Sequence, residues 1–144
     1  MNEGQNMQHE AFFTKELVKE LRNVANLIKK ENNPEKKIYY YSAGYGITSR
    51  TFRYAFSRKV LLADLVLNTS YHSLQERFQR ARSGDTTVPI DEKVFDSIVE
   101  GLKTLADAFE KDTSILEPLE LIVAASFSVT GPGNYLREKG ALIL

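Results

Sequence analysis

Apolar residues recur in alternating steps of three and four along four stretches of this chain. That spacing keeps the side chains on one face of an α-helix, so each stretch is typical of an amphipathic helix. The four apolar seams cover residues 13–28, 52–81, 95–109 and 115–129, and the second is interrupted once, by Ser70. A chain of 144 residues with four such seams is predicted to form one all-α domain, residues 1–144, as an up-and-down four-helix bundle.

The predicted helix boundaries follow from residues that begin or end helices. A flexible tail over residues 1–8 is expected to precede a first helix over residues 9–31, which ends because a proline follows three residues later. The second helix is expected to begin at Thr48 or Ser49, since either side chain is suited to capping it. Its apolar pattern extends as far as Arg82, which makes this helix long and leaves its continuity open.

The segment between the first two helices is rich in tyrosine and glycine. Residues 37–41 include three consecutive tyrosines and an isoleucine, and residues 42–46 include two glycines. Such a composition predicts a short strand or an extended connector. An alternative α+β fold follows, in which residues 37–41 and 141–144 form a minimal two-stranded sheet.

The amino-acid composition excludes several kinds of catalytic and metal-binding site. The chain has no cysteine, which excludes disulfides, thiolate metal sites and cysteine nucleophiles. Its two histidines, His9 and His72, belong to no Glu-x-x-His pair, so no metal site is expected, and no cofactor is predicted. The polar N-terminus has no apolar signal core, and no apolar run is long enough to span a bilayer. We therefore expect a soluble, cytoplasmic protein without a membrane partner.

The formal net charge is zero, but the charge is unevenly distributed. Residues 49–84 contain seven Lys or Arg against two Asp or Glu, a local net charge of +5. Residues 85–120 contain three Lys against ten Asp or Glu, a local net charge of −7. Attraction between neighbouring helices, within one chain or across a dimer, is favoured over a basic face that binds an anion.

The segment that most resembles a ligand site lies at the predicted start of the second helix. Free backbone amides at a helix N-terminus bind phosphate or carboxylate groups, and nearby hydroxyls and guanidinium groups add to such a site. The glycines also fit a simple tight turn, which is favoured because both phosphate-binding glycine motifs are incomplete here. The candidate residues for an anionic small molecule are Tyr41, Gly44, Gly46, Thr48, Ser49, Arg50 and Arg53.

Nucleic-acid binding is disfavoured. The aromatic residues among the arginines, Phe52 and Phe56, lie on the core seam and are poorly placed for stacking on bases. A nucleic-acid-binding chain usually carries more excess positive charge than this one.

The second predicted helix is apolar almost all round between Val60 and Leu67. With the core seam at Ala63, the side chains of Leu61 and Leu65 project to the opposite side. Either the connector or the C-terminal tail covers them, or they meet a second subunit in a symmetric dimer. The sequence leaves both interpretations open.

No stretch carries a recognisable catalytic signature, so the biochemical activity stays unknown at this stage. The first hypothesis is a non-enzymatic, self-associating helical-bundle protein that forms a homodimer through Leu61 and Leu65. The second is a protein that binds a phosphate- or carboxylate-bearing ligand at residues 44–53, or an enzyme built on such a site. Fold class alone does not choose between them.

Overall fold

A computed structural model of the chain describes residues 3–55, 57–84 and 92–127, with side chains from Glu10 onward. These residues form five α-helices, and no strand occurs within the described ranges. The all-α prediction is confirmed, although the bundle has five helices rather than four. The helices are α1 (Glu3–Lys30), α2 (Pro34–Tyr54), α3 (Arg58–Arg82), α4 (Glu92–Lys111) and α5 (Leu116–Phe127).

The five helices pack as a ring in the order α1, α2, α3, α5, α4 and back to α1. Two contacts show that α3 and α5 run parallel. Lys59 near the start of α3 donates to the Thr113 carbonyl just before α5, and Arg77 near the end of α3 donates to the Ser126 carbonyl near the end of α5. This parallel pair differs from the alternation expected of a simple up-and-down bundle.

Helix α2 occupies the segment that was expected to be an extended connector. Asn33 caps it: its side-chain oxygen accepts hydrogen bonds from the amides of Glu35 at 2.9 Å and Lys36 at 3.3 Å. Pro34 takes the first helical position, where a missing amide costs little. The prediction of a strand or connector over residues 37–46 is therefore wrong. The partner strand of the alternative sheet, residues 141–144, lies outside the described residues.

The apolar pattern that runs from Thr48 to Arg82 spans parts of two helices, because the chain leaves the helix after Tyr54. Ala55 has φ −140° and ψ 78°, outside the helical region. Ser57 then starts α3 by accepting a hydrogen bond from the Val60 amide at 3.0 Å. Neither Thr48 nor Ser49 begins a helix, since both lie inside α2.

Most of the predicted seam residues that the structure describes lie in the core. Helix α1 begins at Glu3 rather than His9, so much of the expected tail is helical. The seam residues of α1 from Leu17 to Ile28 and those of α4 are buried, as are Val60, Ala63, Leu67 and Leu74 of α3, whereas Phe13 is half-buried. The central seam residues of α1 and α4 are Leu17, Leu21, Val24, Ile28, Phe95, Ile98, Leu102, Leu105 and Phe109.

Candidate functional site

The side of α3 that faces away from the core exposes an apolar stripe. Leu65 is 54% exposed although it lies two turns inside the helix, and Leu61 is half-buried. Steps of three and four along α3 bring these leucines onto one face with polar residues on either side. We call this surface the α3 outer face; it consists of Arg58, Leu61, Leu65, Thr69, His72 and Glu76.

The α3 outer face carries no charge between its two ends. Lys59 turns aside to pair with Asp112 at 2.8 Å. Asp64 turns towards α2 and accepts a hydrogen bond from the Thr48 hydroxyl at 3.0 Å. The stripe between Arg58 and the acidic end of the face therefore spans about 27 Å of helix without a charged side chain on the surface.

The structure scatters the predicted ligand residues around α2 instead of gathering them in a site. Tyr41, Gly44 and Thr48 are buried against the neighbouring helices, whereas Arg50 and Arg53 are exposed on the outer side. These residues lie inside a continuous helix, where the backbone amides already bond within the helix. The helix entry that motivated the site is therefore absent at this position, and anion binding there stays a prediction. Of the other candidates, Gly46 is exposed and Ser49 is half-buried.

The two glycines of α2 do not form a turn. Among the described glycines, positive φ occurs only at Gly84. Gly44 packs against α1, since a Cβ atom there would lie 3.5 Å from Val24, an ordinary contact. A Cβ atom on Gly46 would meet nothing within 4 Å. Gly44 therefore sits at a helix contact, and Gly46 lies on the solvent side.

A buried polar cluster joins α3 to α5. The hydroxyls of Ser70 and Ser126 hydrogen-bond each other, and Ser73 donates to the Ser126 carbonyl at 2.9 Å. The buried guanidinium of Arg77 donates to the carbonyls of Ala125 at 2.8 Å and Ser126 at 2.9 Å. Because these hydroxyls and donors engage one another and the end of α5, the cluster stabilises the packing of α3 on α5. One sequence signal for the cluster is Ser70, which interrupts the second apolar seam.

Tyr41 extends this polar region towards α2. The side chain is 1% exposed, and its hydroxyl lies beside Ser70 without reaching hydrogen-bonding geometry with any described residue. Burial raises the pKa of the Tyr41 phenol, an effect that outweighs the lowering by the nearby Ser70 hydroxyl. Tyr41 is therefore a core residue rather than part of an open ligand site.

An open groove of about 1430 Å³ lies between the first half of α1, the start of α3 and the end of α4. Val18 and Phe109 line its apolar part, while Lys15, Lys19 and Arg58 line its rim. Carboxylates also line the groove, so its charge is mixed. No sequence pattern predicts this groove, because it depends on the packing of three helix segments that are distant along the chain.

In the described part of the chain, ion pairs join the basic and acidic segments at one point. Lys59 and Asp112 join the basic and acidic segments, but α3 and α4 are not among the extensively packed helix pairs. The acidic residues of α4 pair instead with α1, since Arg22 contacts Asp107 at 2.8 Å and Glu110 at 2.9 Å. Arg22 lowers the pKa of Glu110 through that hydrogen bond. Lys59 of α3 thus contacts the acidic segment at Asp112, and Arg22 of α1 takes up Asp107 and Glu110 of α4.

The described residues thus define an all-α protein of five packed helices, with Leu65 exposed on the outer side of α3. No known family model matches the chain, and no curated protein or solved structure is significantly similar to it. None of the described helices combines the length and apolar character needed to cross a membrane. Over the same residues, no group of three or more His, Asp or Glu side chains is placed to hold a metal ion.

Proposed function

We propose that this protein works by self-association, as a non-enzymatic helical bundle whose copies pair through the α3 outer face. The observation that carries the proposal is the 54% exposure of Leu65, the eighth residue of the 25-residue helix α3. Half-buried Leu61 lies one turn away on the same face. Symmetric dimers are the commonest oligomers, and a helix face of this kind forms a self-complementary patch.

The expected gain from pairing is set by these leucines. Complete burial of an exposed leucine contributes about 1.5–3 kcal/mol, so the half-exposed Leu65 contributes about 1 kcal/mol in each copy. Leu61 adds a smaller contribution because it is already partly buried. A few central residues usually carry most of the energy of an interface, so losing Leu65 is expected to have a large effect.

The proposal is tested by placing a charge on the stripe. We expect wild-type protein to sediment as a dimer in analytical ultracentrifugation, and Leu65→Asp and Leu61→Asp to sediment as monomers. Leu27→Asp is the matched control, because Leu27 is 46% exposed on α1, away from the α3 outer face. It is expected to remain a dimer. Dimers that persist in both α3 variants, with normal helix content by circular dichroism, would show that this face is not the interface.

A further inference from the structure

The α3 outer face is nearly symmetric about its own centre. Arg58 and Glu76 lie nine residues before and after Leu67, and Leu65 and Thr69 lie two residues before and after it. Eighteen residues make five helical turns, so Arg58 and Glu76 point in the same direction. The face therefore has a basic end, an uncharged middle and an acidic end in line.

Resting on the proposed self-association, we propose that two α3 helices pair antiparallel about a two-fold axis opposite Leu67, with Arg58 of each copy bound to the partner subunit's Glu76. A two-fold axis requires each contact to occur twice, so the pairing gives two identical ion pairs at the ends of the interface. Leu65 then lies against the partner's Thr69, and Leu61 against the partner's His72.

Charge complementarity selects a second copy of this chain in this orientation. A parallel pairing would place Arg58 beside the partner's Arg58 and Glu76 beside the partner's Glu76, which repels at both ends. The antiparallel pairing replaces both repulsions with attractions while the uncharged middle buries the leucines. Arg58 and Glu76 thus favour a second copy of this chain as the partner and an antiparallel direction for the pairing.

Both charged groups are available for this contact. Arg58 is exposed, and Glu76 is exposed although its carboxylate accepts a hydrogen bond from Arg80 at 2.7 Å on the same helix. An exposed pair of this kind is weak, and a carboxylate has room for further donors. Glu76 can therefore bind the partner's Arg58 while it keeps Arg80.

Charge reversal tests the ion pairs. Arg58→Glu and Glu76→Arg each place like charges together twice, and we expect each to weaken the dimer about tenfold at low salt. The double variant Arg58→Glu/Glu76→Arg restores opposite charges and is expected to return to within about twofold of wild type. Arg58→Glu preserves the fold, because an acidic residue in the first turn suits the helix dipole. Asp96→Arg, an exposed reversal on α4, is the control and leaves the affinity unchanged.

Cross-linking tests the direction of pairing independently of these charges. The chain has no cysteine, so introduced thiols are unique. In the antiparallel pairing, Leu61→Cys and His72→Cys single variants, mixed in equal amounts, form a covalent heterodimer with a short bis-maleimide. Leu61→Cys alone does not, because its two thiols lie about 18 Å apart along the helix. Efficient cross-linking of Leu61→Cys alone would overturn the antiparallel register.

The outcomes separate this inference from the proposed function. A wild-type monomer would refute both. A wild-type dimer that Leu65→Asp dissociates, but that the double charge reversal fails to restore, would refute the register and leave self-association standing.

Discussion

Gly101 of α4 is the position where a single added carbon has the largest predictable effect. A Cβ atom there would lie 2.5 Å from the Ile122 Cγ1 of α5 and 3.4 Å from the Pro118 carbonyl oxygen. Ile122 is fully buried, so its side chain has no solvent into which to move. Glycine at this position is therefore required by the close approach of α4 and α5, not by a turn.

Two opposing effects set the magnitude for Gly101→Ala. Replacing glycine by alanine inside a helix favours folding by about 1 kcal/mol. Overpacking a closed core costs about 1–3 kcal/mol, and the short 2.5 Å approach places this substitution at the upper end. We expect a net loss of about 2 kcal/mol in the free energy of unfolding. With a urea dependence of about 2 kcal/mol per molar, the unfolding midpoint falls by about 1 M.

Urea unfolding followed by circular dichroism at 222 nm measures this change, with Gly46→Ala as the matched control. Gly46 lies inside α2 on the solvent side, and an added Cβ atom meets nothing within 4 Å. This control is expected to raise the midpoint by about 0.5 M through helix propensity alone. The same variant tests whether residue 46 is helical. Replacing a glycine that adopts positive φ in a turn by alanine would destabilise the protein instead of stabilising it.

A Gly101→Ala variant as stable as wild type would contradict the close approach of α4 and α5 at this position. Combining it with Ile122→Ala provides an internal check. Ile122→Ala alone leaves a cavity and costs about 2–5 kcal/mol. In that background the added Cβ at position 101 has room, so Gly101→Ala is expected to stabilise rather than destabilise. If Gly101→Ala is equally destabilising in the Ile122→Ala background, the loss of stability does not arise from contact with Ile122.

Three further predictions follow from single contacts. Burial raises the pKa of the Tyr41 phenol in the folded state above its value in the unfolded chain, so wild-type stability falls above pH 10. Tyr41→Phe removes this phenol, and we expect a smaller fall in the urea midpoint between pH 8 and pH 10.5. Thr48→Val removes the hydroxyl that donates to Asp64 and lowers the free energy of unfolding by about 1–2 kcal/mol, measured by urea unfolding. Arg22→Gln makes stability less sensitive to acid below pH 4.5, because Arg22 lowers the pKa of Glu110 in the folded state; thermal melts at pH 7 and pH 3.5 measure it.

The helical seams could be predicted because most residues that recur in steps of three and four along the sequence are buried in the core. The break between α2 and α3 could not, since Phe52, Phe56 and Val60 keep a spacing of four across it. The spacing of a seam shows which side of the chain is apolar, and it is kept from α2 to α3 although Ala55 and Ser57 are not helical. Only the capping hydrogen bond of Ser57 marks the start of α3.

Helix α2 shows where local preference was overridden. Three tyrosines and two glycines disfavour a helix by propensity. Tertiary contacts decide otherwise: Tyr41 enters the core, Gly44 lets α1 approach, and Asn33 caps the first turn. Pro34, which predicts the end of α1, also takes the first position of α2 after the Asn33 cap.

For the candidate site, the sequence identified the outward leucines of α3 and missed the polar ends of their face. The position of Leu65 opposite the buried seam followed from helix geometry alone. The directions taken by Lys59 and Asp64 away from that face required the packed structure, because they depend on Asp112 and Thr48 of other segments.

The native mass of the wild-type protein across a range of concentrations tests self-association most directly. Native mass spectrometry on gently purified protein is expected to give twice the mass of the chain, with Leu65→Asp giving the mass of one chain under the same conditions. A wild-type mass of one chain at every concentration would contradict the account of the α3 outer face as a dimer interface.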